Sequence, residues 1–493
     1  MSDQRWRKKF LGNRPLAPET LMMGYGYDPF LSERSLKPPV FHTSTFVFRT
    51  AQDGKAFFEL AYGLRQKRPN EEPGLIYSRI NNPELQMLED RLAIWDEAEA
   101  NLTFASGMAA ISTSLWAYAR PGSVIVHSGP VYGGTDFLLK RILPQFGVTP
   151  IGFPAESGTT ALEEAVERAR ANGPIAAIYL ETPANPTNGL VDIARARHLA
   201  EGLKGEDGKR PTVIVDNTML GPLYQTPLAH GADLVLTSLT KYVGGHSDLI
   251  AGGCSGAASA LEPIRGMRTI LGTMCDPNTG WMLMRSLETL KLRMNAAAES
   301  ARKVAGFLRS HPKVASVWYL GFLPEHHPDR PVFERQCKGP GSTFSFEVKG
   351  GEAEAFAVLD RLEVIKLAVS LGGTETLASH PAAMTHSDIP PEEQLSLGIT
   401  AALIRLSVGI ENPDDLIADL DQAQGLTKAR GPRSWPSGGE RSVTGVFQGR
   451  ATPTCTKLSI RTQYSPAVTN WAGRGPSLLR RRSRCRSPRR RGA

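Results

Sequence analysis

The chain has 493 residues, of which 41% are apolar and 22% are charged, as in an ordinary globular protein. At about 100–200 residues per domain, this length predicts two to four structural units. No uninterrupted apolar run approaches the roughly 20 residues that span a bilayer, which excludes a membrane-embedded protein. The five cysteines are scattered and include no CxxC pair, so neither a disulfide framework nor a cysteine-based zinc site is indicated.

The N-terminal segment, MSDQRWRKKF, is charged and lacks the apolar stretch of a secretory signal. We therefore expect a cytoplasmic protein. Residues 1–75 show no alternation of strand and helix patterns, and we interpret them as an extended N-terminal arm.

The next part of the chain alternates short apolar runs with amphipathic segments. The runs read as buried strands because they are continuously apolar; they are SVIVHS (123–128), AAIYLET (176–182), TVIVDN (212–217) and DLVLTS (233–238). Helical patterns such as TDFLLKRILPQF and DIARARHLAEGLKG lie between them. Strands and helices in turn predict an α/β fold with a mostly parallel sheet wrapped by helices. We assign residues 76–280 to this large domain.

From about residue 281 the pattern changes. The segment 281–310 predicts one long helix, and strand-like runs, ASVWYL and STFSFEVKG, follow it. We predict a second, smaller α/β domain over residues 281–424.

Residues 425–493 differ sharply in composition from the rest of the chain. They contain sixteen basic residues and one acidic residue, whereas the remainder contains 41 basic and 48 acidic residues. So polar a segment buries too little apolar surface to offset the entropy of ordering, which predicts a disordered, arginine-rich tail. Its arginines suit a nucleic acid or another anionic polymer. The abrupt change favours instead an accidental extension, such as a shifted reading frame, and no interleaved aromatic residues support nucleic-acid binding.

The most informative segment is TVIVDNTMLGPLYQTPLAHGADLVLTSLTKYVGGHSD. It places Asp216 at the carboxyl end of one strand and Lys241 just beyond another, where ligands of open α/β sheets bind. A desolvated lysine favours the neutral amine that forms Schiff bases, and a carboxylate is the partner of a pyridinium nitrogen. Ser238 and Thr240 offer hydroxyl groups to a phosphate. Alone, each residue would more often be a cap or a solvated charge; together they describe a pyridoxal phosphate site.

These motifs resemble the Cys/Met-metabolism class of pyridoxal phosphate enzymes, which includes cystathionine γ-synthase, cystathionine lyases, methionine γ-lyase and O-acylhomoserine sulfhydrylases. The matching elements are DNT at 216–218, SLTKY at 238–242 and GGHSD at 244–248, and the resemblance covers about residues 35–424. It implies the fold type I architecture of these enzymes, with residues 76–280 as the cofactor-binding domain. Lys241 then anchors the cofactor and moves protons, while Asp216 keeps the cofactor ring nitrogen protonated.

The resemblance implies further cofactor contacts. Gly107 and Met108 match the positions that cradle the phosphate, at a helix that we expect to begin at Met108. Tyr132 matches the catalytic aromatic residue that stacks on the cofactor. Asn185, in ETPANPTN, matches the residue that binds the phenolic oxygen of the cofactor.

Two other pairs of residues receive roles from the same resemblance. Tyr77 and Arg79 match positions that cross to a neighbouring subunit and bind its cofactor phosphate, which implies a homo-oligomer with shared active sites, as a dimer of dimers or homotetramer. Arg405 and Ser370 match the groups that hold the α-carboxylate of a substrate.

We expect no metal site in the body of the chain. His380 and His386 lie close together in sequence, but no third ligand follows at a sensible spacing. We interpret both histidines as structural.

Two positions bear on the reaction. Relatives that act on cystathionine at the γ carbon usually carry a glutamate that can pair with its distal amino group. Here that substrate-binding position is Val369, which argues against a dedicated cystathionine site. Methionine γ-lyases of the best-known type carry a cysteine where this chain, like synthases and sulfhydrylases, has Gly134. We expect a C–S lyase that acts on a sulfur amino acid by γ-elimination, as methionine γ-lyase does. The alternatives are cystathionine γ-synthase, cystathionine lyase or O-acylhomoserine sulfhydrylase chemistry and, outside enzymes, binding of an anionic polymer through the tail.

Overall fold

The computed structural model describes residues 4–68, 71, 74–155, 160–204 and 209–425. The predicted disordered tail lies outside the described residues, except for Gly425. Among the described residues, no helix combines the length and the apolar character needed to cross a membrane.

The described strands form two main sheets and one short hairpin. They are β1 (Phe10–Leu11), β2 (Arg14–Pro15), β3 (Ala100–Phe104), β4 (Val124–Gly129), β5 (Thr149–Pro154), β6 (Ile175–Glu181), β7 (Thr212–Asp216), β8 (Leu234–Ser238), β9 (Gly252–Gly256), β10 (Val314–Trp318), β11 (Thr343–Val348), β12 (Lys366–Leu367), β13 (Leu377–Ser379) and β14 (Leu403–Ser407).

The α-helices alternate with these strands over much of the chain. They are α1 (Pro18–Leu21), α2 (Ala51–Ala61), α3 (Pro83–Trp95), α4 (Gly107–Tyr118), α5 (Gly133–Phe137), α6 (Ala161–Arg170), α7 (Ile193–Gly202), α8 (Gly221–Tyr224), α9 (Ala258–Leu271), α10 (Pro277–Leu287), α11 (Leu290–Ser310), α12 (Arg330–Gln336), α13 (Glu352–Arg361), α14 (Pro391–Ser396) and α15 (Pro413–Gly425).

The larger sheet has seven strands in the order β3-β9-β8-β7-β6-β4-β5. The strands β8, β7, β6, β4 and β5 run parallel, whereas β9 runs antiparallel to both of its neighbours. The prediction of a mostly parallel sheet is therefore confirmed, and the four predicted strands correspond to β4, β6, β7 and β8.

Helices cover both faces of this sheet, which explains why its strands are continuously apolar. Successive side chains of a strand point to opposite faces. In β7, Ile214 packs in the cluster that contains α4 and α9, while Val213 and Val215 pack against α6 and α7. The carboxyl ends of β6, β7 and β8 consequently lie side by side at one edge, where ligands of α/β sheets bind.

The smaller sheet has the order β10-β11-β14-β13-β12. Its neighbours are antiparallel except for the pair β12 and β13. Its core is formed with α11, α13 and α15. These elements fall within the predicted second domain, whose limits stay a prediction.

The single helix predicted over residues 281–310 is wrong, because the structure has two helices, α10 and α11. The guanidinium group of Arg293 donates to the carbonyl of Ser286 at 3.0 Å and to the carbonyl of Tyr242 at 2.8 Å. An uninterrupted helix would use the Ser286 carbonyl to bind the N–H four residues later. At this break the Ser286 carbonyl accepts the N–H of Thr289 at 3.2 Å and the guanidinium group of Arg293, which the distant carbonyl of Tyr242 also holds.

The extended conformation expected for residues 1–75 is also wrong for two segments, which form α1 and α2. Thr50 caps the longer helix, α2, by accepting the N–H of Asp53 at 3.0 Å. Phe57 and Phe58 pack edge-on against Phe48. Capping and aromatic packing together favour helix over extended chain here.

Candidate active site

A cavity of about 280 Å³ opens at the carboxyl ends of β6, β7 and β8. Eight of the predicted site residues line it, and they are Gly107, Met108, Tyr132, Asn185, Asp216, Ser238, Thr240 and Lys241. The structure therefore brings together residues that are up to 134 positions apart in the sequence.

Asp216 is the last residue of β7 and is buried. One carboxylate oxygen accepts the N–H of Thr218 at 3.0 Å and its hydroxyl at 2.6 Å. The other accepts the hydroxyl of Tyr179 at 3.2 Å. Burial raises the pKa of Asp216, while these hydrogen bonds oppose the rise. A buried carboxylate held in this way can pair with a cationic ring nitrogen.

Lys241 lies three residues beyond the end of β8. Its amine donates a 2.7 Å hydrogen bond to the hydroxyl of Ser370. Burial, together with the positive charge of Arg405, lowers the pKa of Lys241 to about 8. The amine is therefore far more often neutral near pH 8 than an exposed lysine, as a nucleophile and proton acceptor requires.

The far end of the cavity is formed by the start of α4, which begins at Gly107 rather than at the predicted Met108 because Ser106 caps it. The backbone N–H groups of Gly107 and Met108 have no hydrogen-bond partner among the described residues. A Cβ atom on Gly107 would lie 2.9 Å from Cβ of Ser238, so only glycine allows this approach. Free N–H groups at a helix start favour an anion.

The two predicted hydroxyl groups differ in their availability. The hydroxyl of Thr240 donates to the carbonyl of Ala251 at 3.2 Å and accepts its N–H at 3.0 Å, so its proton is already used. The Ser238 hydroxyl makes no hydrogen bond to a described residue and lines the cavity. Ser238 is thus the better donor to a phosphate group.

Tyr132 precedes α5, and 46% of its surface is exposed toward the cavity mouth. Its backbone N–H donates to the carboxylate of Glu181 at 2.7 Å. A Cβ atom on Gly134 would lie 2.8 Å from the ring of Tyr132 and 3.1 Å from the sulfur of Met108. This position therefore has no room for a larger side chain unless the ring moves.

Arg405 is buried in β14, behind the cavity. Its guanidinium group donates to the side-chain oxygen of Asn185 at 3.0 Å and to the carbonyl of Ser370 at 2.8 Å. Its Nε has no hydrogen-bond partner among the described residues. Burial lowers the pKa of Arg405 to about 10. A buried cation with an unused donor suits an incoming carboxylate.

Besides Arg405 and Ser370, three predicted site residues do not line the cavity. Tyr77 is 41% exposed, and Arg79 donates to the carbonyl of Thr269. The guanidinium group of Arg79 lies over the ring of Tyr77, 5.9 Å from its centre. Val369 is 55% exposed and is likewise not part of the cavity wall. The roles predicted for these residues stay predictions.

The two candidate histidines are buried and bonded within the protein. His380 pairs with the carbonyl of Ala401 at 2.9 Å, and His386 pairs with the hydroxyl of Thr385 at 2.8 Å. In the part of the chain that the structure describes, no group of histidine, cysteine, aspartate or glutamate side chains could hold a metal ion.

Glu181 also lines the cavity, although the sequence analysis did not single it out. It is the last residue of β6, and the strand register places it beside Asp216. The sequence feature that could have identified Glu181 is its position at the carboxyl end of a predicted parallel strand.

Comparison with known proteins places this site in a family. Residues 19–425 match the Cys/Met metabolism PLP-dependent enzymes. The chain belongs to this family. It is 39% identical to the L-methionine gamma-lyase of Fusobacterium nucleatum subsp. nucleatum, over 86% of this chain and 99% of that protein. It is 38% identical to the cystathionine gamma-lyase of Bacillus subtilis, over 73% of this chain and 91% of that protein.

Solved structures agree with this assignment. The cystathionine gamma synthase of Xanthomonas oryzae pv. oryzae, in complex with aminoacrylate and cysteine, superposes with a TM-score of 0.74 at 31% identity, covering 83% of this chain and 98% of that one. The cystathionine gamma-lyase of Lactobacillus plantarum, complexed with L-serine, gives a TM-score of 0.71 at 34% identity, covering 83% and 99%. The protein is therefore a PLP-dependent enzyme of sulfur amino-acid metabolism, a lyase or transferase with the fold type I architecture.

The residues of the cavity fit pyridoxal 5'-phosphate, the cofactor of this Cys/Met metabolism family. Gly107 and Met108, with their free N–H groups, line this cavity together with Asp216 and Lys241. An anion, a ring nitrogen and an aldehyde each have a chemically matching partner.

Proposed function

We propose that the protein is a C–S lyase that eliminates the γ-substituent of a sulfur amino acid, with methionine as the preferred substrate class. The observation that carries this proposal is the placement of Lys241 and Asp216 in one cavity, with Ser370 linking Lys241 to the buried guanidinium group of Arg405. The similarity to methionine γ-lyases over most of the chain supports the choice of substrate.

Each residue then has a specific task. The cofactor, when bound, supplies an electron sink for the electron pair left at the substrate's α carbon. Lys241 anchors the cofactor and, once free, removes and returns protons at carbon. Asp216 keeps the ring nitrogen protonated. Gly107, Met108 and Ser238 hold the phosphate.

Further residues orient the substrate. Arg405, with its unused Nε donor, and Ser370, with its hydroxyl beside Lys241, bind the α-carboxylate. When the cofactor is bound, the ring of Tyr132 would stack on it, and Asn185 would donate to its phenolic oxygen. Apolar side chains at the cavity wall, including Met219, Ile250 and Leu371, suit a thioether better than a charged group.

A γ-replacement reaction, as in a synthase or sulfhydrylase, is the second candidate. It is favoured by Gly134, because methionine γ-lyases of the best-known type carry a cysteine there. The close contacts of this position with Tyr132 and Met108 oppose a larger side chain.

We also propose a homo-oligomer whose subunits share active sites. Tyr77 and Arg79 do not reach the cavity of their own chain, which agrees with a role at a neighbouring subunit's phosphate. A dimer of dimers would provide such sites in pairs.

Three parallel assays test the reaction. Purified protein with added pyridoxal phosphate is given methionine, cystathionine, or an O-acylhomoserine with sulfide, and 2-oxobutanoate and thiol are measured. Methionine should yield methanethiol, 2-oxobutanoate and ammonia with the highest kcat/KM. Thioether or thiol synthesis from the homoserine ester without 2-oxobutanoate would establish the replacement reaction instead.

A further inference from the structure

The carboxyl group of Glu181 connects several parts of the candidate site. One oxygen accepts the backbone N–H of Tyr132 at 2.7 Å, and the other accepts the backbone N–H of Asn185 at 3.3 Å. Glu181 thus ties the loop after β4 to the loop after β6. The side chain is buried at the end of β6.

We propose that Glu181 is a positioning residue, which holds Tyr132 and Asn185 in place for the cofactor. This inference deepens the proposed function. It rests on the cofactor site alone and holds for any sulfur amino-acid substrate.

The contact with Tyr132 explains how a partly exposed ring is kept in place. Nearly half of the Tyr132 side chain is open, so packing by itself restrains it weakly. Its backbone carbonyl already accepts the first N–H groups of α5, from Thr135 at 2.8 Å and from Asp136 at 3.0 Å. The bond to Glu181 fixes the backbone N–H of Tyr132 as well, and with it the point from which the ring projects.

Asn185 links Glu181 to Arg405. The side-chain oxygen of Asn185 accepts a hydrogen bond from Arg405 at 3.0 Å. Because an amide has one oxygen and two N–H donors, this leaves Asn185 with its donors for a ligand. Glu181 binds the backbone of the same residue, so a chain of contacts runs from Glu181 through Asn185 to Arg405.

The charges around Glu181 agree with a role as a hydrogen-bond acceptor. The titratable groups around it are Asp216, Tyr179 and Arg405. Burial and the neighbouring Asp216 raise the pKa of Glu181 well above its ordinary value, whereas its two backbone N–H bonds and Arg405 oppose the rise. The two hydrogen bonds, rather than a charge opposite Arg405, therefore carry the proposal.

The test compares Glu181→Gln and Glu181→Asp in the cofactor-loaded enzyme without substrate. The visible absorbance of the lysine-bound cofactor is titrated from pH 6 to pH 9.5. Glu181→Gln keeps the size of the side chain but has one acceptor oxygen instead of two, so one of the two backbone bonds is lost. If Asn185 then donates less well to the phenolic oxygen of the cofactor, more negative charge lies beside the protonated linkage, and the pKa of the visible band should rise by about 1 unit. Glu181→Asp keeps both acceptor oxygens and should stay within about 0.3 units of the parent. Both variants should lose at least about tenfold in kcat/KM, because Tyr132 and Asn185 shift.

Asp329→Asn is the matched control. Asp329 is also a buried carboxylate, and it accepts the N–H of Leu190 at 3.1 Å, in the same loop after β6 but outside the cofactor cavity. This variant should melt at a lower temperature yet keep the parent band pKa and a kcat/KM within about twofold.

The results distinguish failure of the Glu181 proposal from failure of the proposed function. A Glu181→Gln enzyme with the parent band pKa, or with losses equal to those of Asp329→Asn, would overturn the proposal. If Glu181→Gln does not fold, Glu181→Asp decides: a retained band pKa with a lower kcat/KM supports the proposal, and an unchanged kcat/KM overturns it. A wild-type protein without any visible band after addition of pyridoxal phosphate would instead refute the proposed function.

Discussion

The amine of Lys241 binds the hydroxyl of Ser370, a residue 129 positions later in the chain, at 2.7 Å. Ser370 has a backbone φ of 103°, which residues other than glycine rarely adopt. Such a conformation costs on the order of 1–3 kcal/mol and persists where the surrounding contacts impose it. Here the carbonyl of Ser370 is held by Arg405. One residue thus connects the proposed cofactor anchor with the proposed carboxylate site.

Lys241→Ala should remove both the visible absorbance of the bound cofactor and all turnover. The covalent anchor and the proton carrier are the same amine, so no other group replaces it. Absorbance spectra, product assays and circular dichroism check the site and the fold. Lys303→Ala, at an exposed lysine that pairs with Glu299, is the control and should behave as the parent. A Lys241→Ala enzyme that keeps both the band and turnover would disprove the site.

Asp216→Asn should lower kcat/KM by at least about 100-fold, because the ring nitrogen loses the charge that keeps it protonated. The visible band should remain, since Lys241 is intact. Asp233→Asn is a suitable control, because Asp233 binds Arg210 outside the cavity. That variant should lose thermal stability and keep its activity. Full activity of Asp216→Asn would remove this residue from the mechanism.

The rate at which the cofactor-free protein reacts with pyridoxal phosphate should rise with pH and level off above about pH 8. The neutral amine is the nucleophile, and it forms as the pH rises through the lowered pKa of Lys241. At pH 8 an ordinary lysine amine is less than about 1% neutral. Stopped-flow absorbance measures the rate, and Nα-acetyl-lysine serves as the reference. A pH–rate profile parallel to that of Nα-acetyl-lysine would contradict the lowered pKa of Lys241.

Mixed oligomers test whether active sites are shared. Arg79→Ala and Lys241→Ala subunits should each be inactive alone. Refolded together in equal amounts, they should recover about a quarter of the parent activity, because half of the dimers are hybrids and each hybrid has one intact site. Asp216→Ala mixed with Lys241→Ala should recover nothing, since both defects lie in the chain's own cavity. Equal recovery in both mixtures, or none in either, would refute sharing.

Val369→Glu should raise the ratio of cystathionine to methionine activity. A carboxylate near the outer end of the substrate offers a partner to the distal ammonium group of cystathionine. Because Val369 is 55% exposed, this pair would stay largely hydrated, and we expect a change in the kcat/KM ratio below about tenfold. Val364→Glu, at another exposed valine, is the control. An unchanged ratio would place Val369 away from the substrate.

Much of the site could be predicted because its signals are local. Continuous apolar runs indicate strands buried on both faces, and their carboxyl ends form one edge whatever else the chain does. Asp216 and Lys241 each lie within three residues of such an end. Ser238 and the motif GGHSD lie close to Lys241 in the sequence, so the family resemblance could be identified from the sequence alone.

Contacts between distant segments were decided only by the tertiary structure. Arg405 meets Asn185 across 220 residues, and Arg293 in α11 binds the carbonyl of Tyr242 across 51 residues. Glu181 ends a run that reads as an ordinary strand, and its partners come from two loops. Periodicity reports how a segment folds locally, whereas the position of a buried charge depends on which groups the whole chain brings close enough to offset its desolvation.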